Sequence, residues 1–332
     1  MTSLSACKFS ILELAPIHDY GTPQLALKHA LDLAKHAEQL GFHRFWVAEH
    51  HNMQGIASSA TAVLLGYLAA NTQKIRLGSG GIMLPNHAPL VVAEQFGTLA
   101  SLYPDRIELG LGRAPGTDQY TMRALRRGRA ETEDQFPQDV LEILSYFEDA
   151  NPNQRIMAVP GQGTHIPVYL LGSSLYSAQL AARLGLPYSF ASHFAPRMMM
   201  QAIQLYRENF QPSQYLDKPY VILGVPCVVA DTDAEAEYLA TTLKQRILSL
   251  LRGRPFKLVP PVESMDGMWN SAEKMGVDNF LAVAKIGSAQ TVKTELTEFL
   301  AQTQADELIF TCDVYDPQKR LESLSLLMAL KD

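Results

Sequence analysis

No stretch of the chain stays apolar for the roughly 18 positions that a membrane-crossing helix needs. The first ten residues, Met1 to Ser10, lack a basic start and an apolar core ahead of a small-residue cleavage site. Nothing there reads as a secretion signal, and the cytoplasm is the expected compartment. An excess of positive charge is also missing: 28 Lys and Arg stand against 34 Asp and Glu, a net charge of −6. Phosphate backbones are gripped by surplus cations, so the balance argues against general nucleic-acid binding. Cysteine is scarce. Cys7, Cys227 and Cys312 lie far apart without a C-x-x-C spacing, and they read as idle thiols in reducing surroundings. No G-x-G-x-x-G opens a helix after the first strand-like run, and no Walker A loop occurs, which excludes two common nucleotide folds. Neither H-E-x-x-H nor a Cys/His cluster marks a zinc site.

What the 332 residues do contain is an ordinary globular composition, 47% hydrophobic and 19% charged. Short runs rich in β-branched and aromatic residues alternate with longer stretches of helical spacing. The strand-like runs are Phe9–Ala15, Arg44–His50, Ile75–Leu84, Arg106–Gly112, Val168–Leu171, Tyr188–Phe194, Tyr220–Ala230 and Asp306–Tyr315. Each is followed by a helical pattern: Pro23–Leu40, Ser58–Asn71, a helix ending near Tyr103, Gln138–Asp149, Ser177–Gly185, Pro196–Phe210, Asp233–Leu251 and Pro317–Leu330. Pro23 suits a first helical turn and Gly41 a position just past a helix end. Ser58 and Ser59 are candidate N-caps, with Val63, Leu64, Tyr67 and Leu68 as a buried stripe. Strands alternating with helices imply right-handed crossovers and a parallel sheet. Eight such units favour closure into a (β/α)8 TIM barrel, an α/β fold in one domain over residues 1–332. Two insertions are expected, one after the fourth strand and one, 252–305, with its own helices before the eighth. In such a barrel the chemistry sits on the loops that follow the strands.

Those loops hold the candidate residues. Glu49-His50-His51-Asn52 ends the second strand. Neighbouring side chains on an extended strand point to opposite faces, so His50 and His51 could not readily share a metal, and no metal is expected. One of them can face the barrel mouth as acid, base or hydrogen-bond donor, or else serve as a capping histidine. Gly80-Gly81 suits a barrel corner or a close backbone approach. Arg113, after a glycine-flanked strand end, can hold a phosphate bidentately or pair with a carboxylate. Gly172-Ser-Ser-Leu-Tyr-Ser177 runs into a helix whose N-terminus is a natural anion site. Arg123, Arg126, Arg127 and Arg129 fit a lid or a solvated helix face. Met198, Met199 and Met200 read as helix core packing.

Taken together, these segments resemble the bacterial luciferase-like flavin-dependent monooxygenases. The likeness rests on Phe45-Trp-Val-Ala-Glu-His-His51, on Gly78-Ser-Gly-Gly-Ile-Met-Leu-Pro85 with Asn86-His-Ala-Pro89, and on Ala93-Glu-Gln95. Further along come Asp105-Arg-Ile-Glu-Leu-Gly-Leu-Gly-Arg113, Leu171-Gly-Ser-Ser174, Ile286-Gly-Ser288 and Ala305-Asp-Glu-Leu308. The resemblance extends over nearly the whole chain. It implies a TIM-like barrel that takes reduced FMN from a separate flavin reductase and activates O2 through a flavin hydroperoxide to oxidise a small organic substrate. It also implies a homodimer. His50 matches the catalytic histidine, and Gly80-Gly81 the site of a non-proline cis peptide beside the flavin. Arg113, Ser173, Ser174 and Ser177 match the phosphate-binding positions, while Ala57 and Ser58 lie along the flavin edge. Met83 and Phe194 would shield the reacting centre. Gly112 stands where the luciferase has a cysteine, which argues against light emission. Three other readings are a deazaflavin-dependent hydride-transfer enzyme, a non-catalytic flavin-binding protein and a metal-dependent barrel hydrolase.

Overall fold

The computed structural model describes residues 3–114, 119–126, 135–151, 153–254 and 257–331. In chain order the elements are β1 (Lys8–Glu13), α1 (Pro23–Leu40), β2 (Arg44–Val47), α2 (Thr61–Ala69), β3 (Arg76–Ser79), β4 (Ile82–Met83), α3 (Pro89–Leu102) and β5 (Ile107–Gly112). After them come α4 (Gln119–Arg126), α5 (Phe136–Phe147), β6 (Val168–Gly172), α6 (Leu175–Leu184), β7 (Tyr188–Phe190), α7 (Met199–Glu208) and β8 (Val221–Ala230). The chain ends with α8 (Asp233–Leu251), α9 (Ser271–Phe280), β9 (Lys285–Ser288), α10 (Ala289–Thr303), β10 (Glu307–Thr311) and α11 (Pro317–Ala329).

Strands β1, β2, β3, β5, β6, β7, β8 and β10 pair in parallel in that order, and β10 returns to β8, so the sheet closes into a (β/α)8 barrel. The short β4 pairs with the end of β5, and β9 pairs with the far half of β8, Cys227–Ala230. The insertion before the last barrel strand therefore contributes a strand as well as helices, which its sequence pattern did not announce.

Period-two alternation decides what fills the bore. Leu12, Trp46, Tyr169, Ile222 and Ile309 form an inner apolar layer, with Ala48 next to it. Alternate residues such as Phe45, Val47, Leu109 and Leu223 face outward and join the large core beneath the helices. Below the inner layer, towards the strand starts, lies a charged plug. Arg44 reaches Glu108 at 2.7 Å and Glu307 at 2.9 Å, all three buried. Trp46 and Tyr220 donate to those carboxylates. Above the layer the lining shrinks to Ala48, Gly80 and Gly224. A Cβ on Gly80 would lie 2.6 Å from Leu12, and one on Gly224 would lie 2.1 Å from the His193 ring.

Helix ends follow local chemistry where the sequence offers it. Thr22 accepts the Leu25 N–H and Pro23 opens α1; Gly41 closes it at φ 81, in the left-handed region. Several expectations are corrected. Helix α2 begins at Thr61 behind an uncapped Ala60, and the Ser58 hydroxyl instead donates to Ala48 O, so neither serine is its cap. Val63 and Tyr67 are 76% and 44% exposed and do not belong to a buried stripe; Leu64, Leu65 and Leu68 make that face. The run 75–84 is two strands, Arg76–Ser79 and Ile82–Met83, with the cis Gly80-Gly81 peptide between them. The run 188–194 stays in the ladder only to Phe190, and Phe194 is 55% exposed. Of the methionine run, Met199 is buried but Met200 is exposed. The three cysteines are free and buried. Arg123 is exposed on α4, while Arg127 and Arg129 lie outside the described residues. No described helix is long and apolar enough to cross a membrane.

Candidate active site

The C-terminal ends of the strands gather two sets of groups. One set lies after β5 and β6. Arg113 follows β5, and its guanidinium sits 4.1 Å from the centroid of Tyr176, in the first turn of α6. Ser174 is the N-cap of α6 in extended conformation, but its hydroxyl makes no capping bond. The first-turn N–H groups of α6 therefore have no side-chain cap from Ser174, beside a cation: an arrangement suited to an anion. Ser173 is half-buried in the same turn. Ser177 is turned the other way. Its hydroxyl donates to Ser174 O and lies 3.4 Å from the buried Tyr188 hydroxyl, which also donates to Ser174 O. Ser177 thus braces the turn from beneath.

The second set lies after β2. The alternation that turns Arg44, Trp46 and Ala48 inward carries on to His50, which occupies the bore-facing register above Ala48. The His50 backbone N–H is bonded to Ser58 O, but Nδ1 of its ring is buried and has no partner among the described residues. Burial, with Arg246 adding to it, pushes the imidazole down to about 4, so it is neutral at pH 7. His51 takes the opposite face, as alternation requires. It joins a cluster missed by local spacing: Oε1 of the buried Glu49 lies 2.7 Å from His51 Nε2 and 2.8 Å from His87 Nε2, and Oε2 accepts the Met83 N–H at 3.0 Å. Burial alone would raise the Glu49 carboxyl, but the two imidazoles and the amide outweigh it and hold it below the usual range. Glu49, His51 and His87 are a three-donor grouping of the kind that can ligate a metal. Their mutual hydrogen bonds already occupy those atoms, and His50 is not among them.

Gly80-Gly81 lies between the two sets as a cis peptide. A Cβ on Gly81 would stand 2.7 Å from Gly110 O, so only glycine lets the β3–β4 corner lie against β5. Ala57 donates its N–H to Ala15 O, and Ser58 is buried under the β2 end, so this loop frames the same mouth. Met83 is half-buried beside Gly112, whereas the Phe194 ring packs edge-on to Phe280 of α9 at 5.5 Å. Sequence reasoning missed three further groups at the mouth. Asp313, two residues beyond β10, pairs with Arg246 of α8 at 2.7 Å. The third is His193, whose ring covers Gly224.

The closed parallel barrel thus gathers its polar groups at the C-terminal strand ends, among them a cation beside a helix start that Ser174 leaves uncapped. The family model "Luciferase-like monooxygenase" matches residues 7–307. The chain is 53% identical over 324 residues to the luciferase-like monooxygenase of Escherichia coli strain K12, covering 98% of this chain and 97% of that one. It is 44% identical over 188 residues to the N-acetyl-S-alkylcysteine monooxygenase of Bacillus subtilis strain 168, about half of each protein (55% and 56%). The crystal structure of apo-MsnO8 superposes with a TM-score of 0.88 at 34% identity, over 98% of both chains. The chain belongs to the luciferase-like monooxygenase family.

Proposed function

We propose that the chain is an FMN-dependent monooxygenase, working as a single barrel domain in the cytoplasm and fed with reduced FMN by a separate reductase. The observation that carries this reading is the Arg113 guanidinium lying over Tyr176 at the N-terminus of α6, where Ser174 provides no side-chain cap. A flavin phosphate is a dianion that this pair of features suits, with Ser173 and Ser174 as further donors. The residues fit the rest of the cofactor as well. Beyond the subsite the mouth carries small residues, Ala48 and the Gly80-Gly81 corner, against which a flat ring would lie close to the backbone. Ala57 and Ser58 border the same space.

Bound FMN would supply the electrons that activate O2. The chain's own part is to bind, orient and exclude water. Arg113 and the α6 turn hold the phosphate end. His50, neutral at working pH, offers Nδ1 as an acceptor, or in the other tautomer as a donor, to a proton that must move during turnover. The family name favours oxygen chemistry over hydride transfer from a deazaflavin. The name of the Bacillus relative makes a thioether with an N-acyl amino-acid tail the first substrate class to assay.

Fluorescence titration with FMN, followed by O2 uptake with reduced FMN, tests the proposal. Arg113→Ala should weaken FMN binding by about ten- to a hundredfold, the worth of about 1.5–3 kcal/mol for a hydrogen bond to a charged group. His50→Ala should still bind FMN, weaker by about tenfold at most, yet lose about a hundredfold or more in O2-dependent turnover. An Arg113→Ala protein with unchanged affinity would reject the phosphate assignment. Consumption of reduced deazaflavin in place of reduced FMN would transfer the chain to the hydride-transfer class.

A further inference from the structure

We propose that His193 is a second flavin-contacting imidazole, facing His50 across the barrel mouth and offering its Nδ1 to the bound isoalloxazine. The inference rests on the FMN reading above.

Strand order comes first. Going round the barrel from β2, the fourth strand on is β7, so the ends of β2 and β7 lie on opposite walls. His50 follows the first and His193 the second. The direction of the ring comes next. Ile222 belongs to the inner apolar layer, and Gly224, two residues on in the same strand, shares its inward register. A Cβ on Gly224 would fall 2.1 Å from His193 Nδ1 and about as close to no other group, so the imidazole occupies bore space that any larger residue would claim. The backbone is fixed there too: the Ser192 hydroxyl donates to Gly224 O at 2.7 Å and anchors the turn to β8.

What remains is an unanswered polar atom. His193 Nδ1 is buried and has no hydrogen-bond partner among the described residues, and the same holds for His50 Nδ1. A buried polar atom left unbonded costs about 1–3 kcal/mol. Of the four imidazoles with such an atom among the described residues, His29, His43, His50 and His193, the last two stand at strand ends on opposite walls of the barrel. The nearby ion pair does not supply the partner, since Arg246 and Asp313 are spent on each other at 2.7 Å. The isoalloxazine edge carries both donors and acceptors, and it is the ligand that the Arg113 subsite would anchor. Burial, with His50 adding to it, also holds His193 down to about 4, so at neutral pH two neutral imidazoles look into the bore.

The test uses full-length protein labelled with 15N at its nine histidines. Oxidised FMN is added while the ring-nitrogen resonances are followed, and His193→Asn and His50→Gln variants assign the two signals. FMN should shift the Nδ1 resonances of both His50 and His193. His193→Leu should weaken FMN binding about five- to tenfold, the worth of one hydrogen bond. His193→Asn, whose side-chain amide puts a polar atom near the Nδ1 position, should recover most of that loss. An unmoved His193 resonance beside a shifted His50 would overturn the inference while leaving the FMN proposal standing, as would His193→Leu and His193→Asn proteins of equal affinity. If the wild type fails to bind FMN at all, the underlying reading falls instead. Thermal unfolding of each variant separates a folding defect from a lost contact.

Discussion

A histidine with a buried ring nitrogen that lacks a partner resists protonation, and among the described residues His29, His43, His50 and His193 are of that kind, all four held below the ordinary value. Burial, aided by Arg44 and other nearby cations, pushes His43 down to about 3, while His50 and His193 go to about 4. In the unfolded chain each would titrate near 6.5. Folding therefore favours the neutral form. The stability this brings is complete above about pH 6.5 and is lost as pH falls from there towards 4. Carboxylates held low, such as Glu273 at about 2, contribute above the usual carboxylate range and fail only at more acid pH. The melting temperature should thus begin to fall already between pH 6.5 and 4.5. His43→Gln, away from the mouth, should flatten that first decline, as thermal unfolding across the range would show; an equally steep curve would remove His43 from the account. The histidines also show what was legible. Alternation along Arg44–His50 separated His50 from His51 correctly. His87 and Glu49 met through a contact 38 residues long in sequence, which no local pattern encodes.

At the scale of elements, the barrel is held from inside by charge as well as by apolar packing. Arg44 on β2, Glu108 on β5 and Glu307 on β10 join three strands that are distant in sequence. Burial by itself would lower the Arg44 pKa, but Glu307 and Glu108 outweigh it and raise it. Breaking such a network by removing one partner strands the others in a medium that solvates charge poorly. Arg44→Met should cost about 3–5 kcal/mol of unfolding free energy in a urea titration. Replacing Arg44, Glu108 and Glu307 together by apolar residues of similar volume should restore most of it. A single Arg44→Met variant as stable as wild type would mean that the plug contributes nothing net. The sequence marked these strands well, since β-branched and aromatic runs have a strong local signature. It did not mark the plug, because a lone inward charge looks like any polar residue on an alternating strand. The Tyr188–Phe194 run was misjudged for a related reason: Ser192 bonds back to Gly224, and tertiary contact ends the strand before its composition does.

For the whole molecule, helices α2 and α3 leave an apolar outer face. Val63, Tyr67, Val91 and Leu102 are exposed, with Val63 at 76%. Helix α2, Thr61–Ala69, carries no charged residue on any side. A helix apolar all round is one that expects to be covered on both faces. The homodimer implied by the family resemblance would cover it with the same face of a second copy, self-complementary about a two-fold axis. Val63→Glu would bring like charges together across that axis, so light scattering should move from dimer to monomer, with dimer affinity down by about a hundredfold or more. A wild-type protein that runs as a monomer at micromolar concentration would dismiss the pairing.

The sequence by itself determined the alternation of strands and helices, the closure that eight such units favour, and the loops on which chemistry would sit. Those follow from periodicity and local caps, which act over a few residues. Tertiary structure alone decided which wall each loop side chain faces. It folded His193 over Gly224, turned Ser177 beneath its turn, tied Glu49 to two histidines and left Val63 in the open. Each of these depends on what a distant strand places opposite, and packing against remote neighbours outweighs local preference wherever the two disagree.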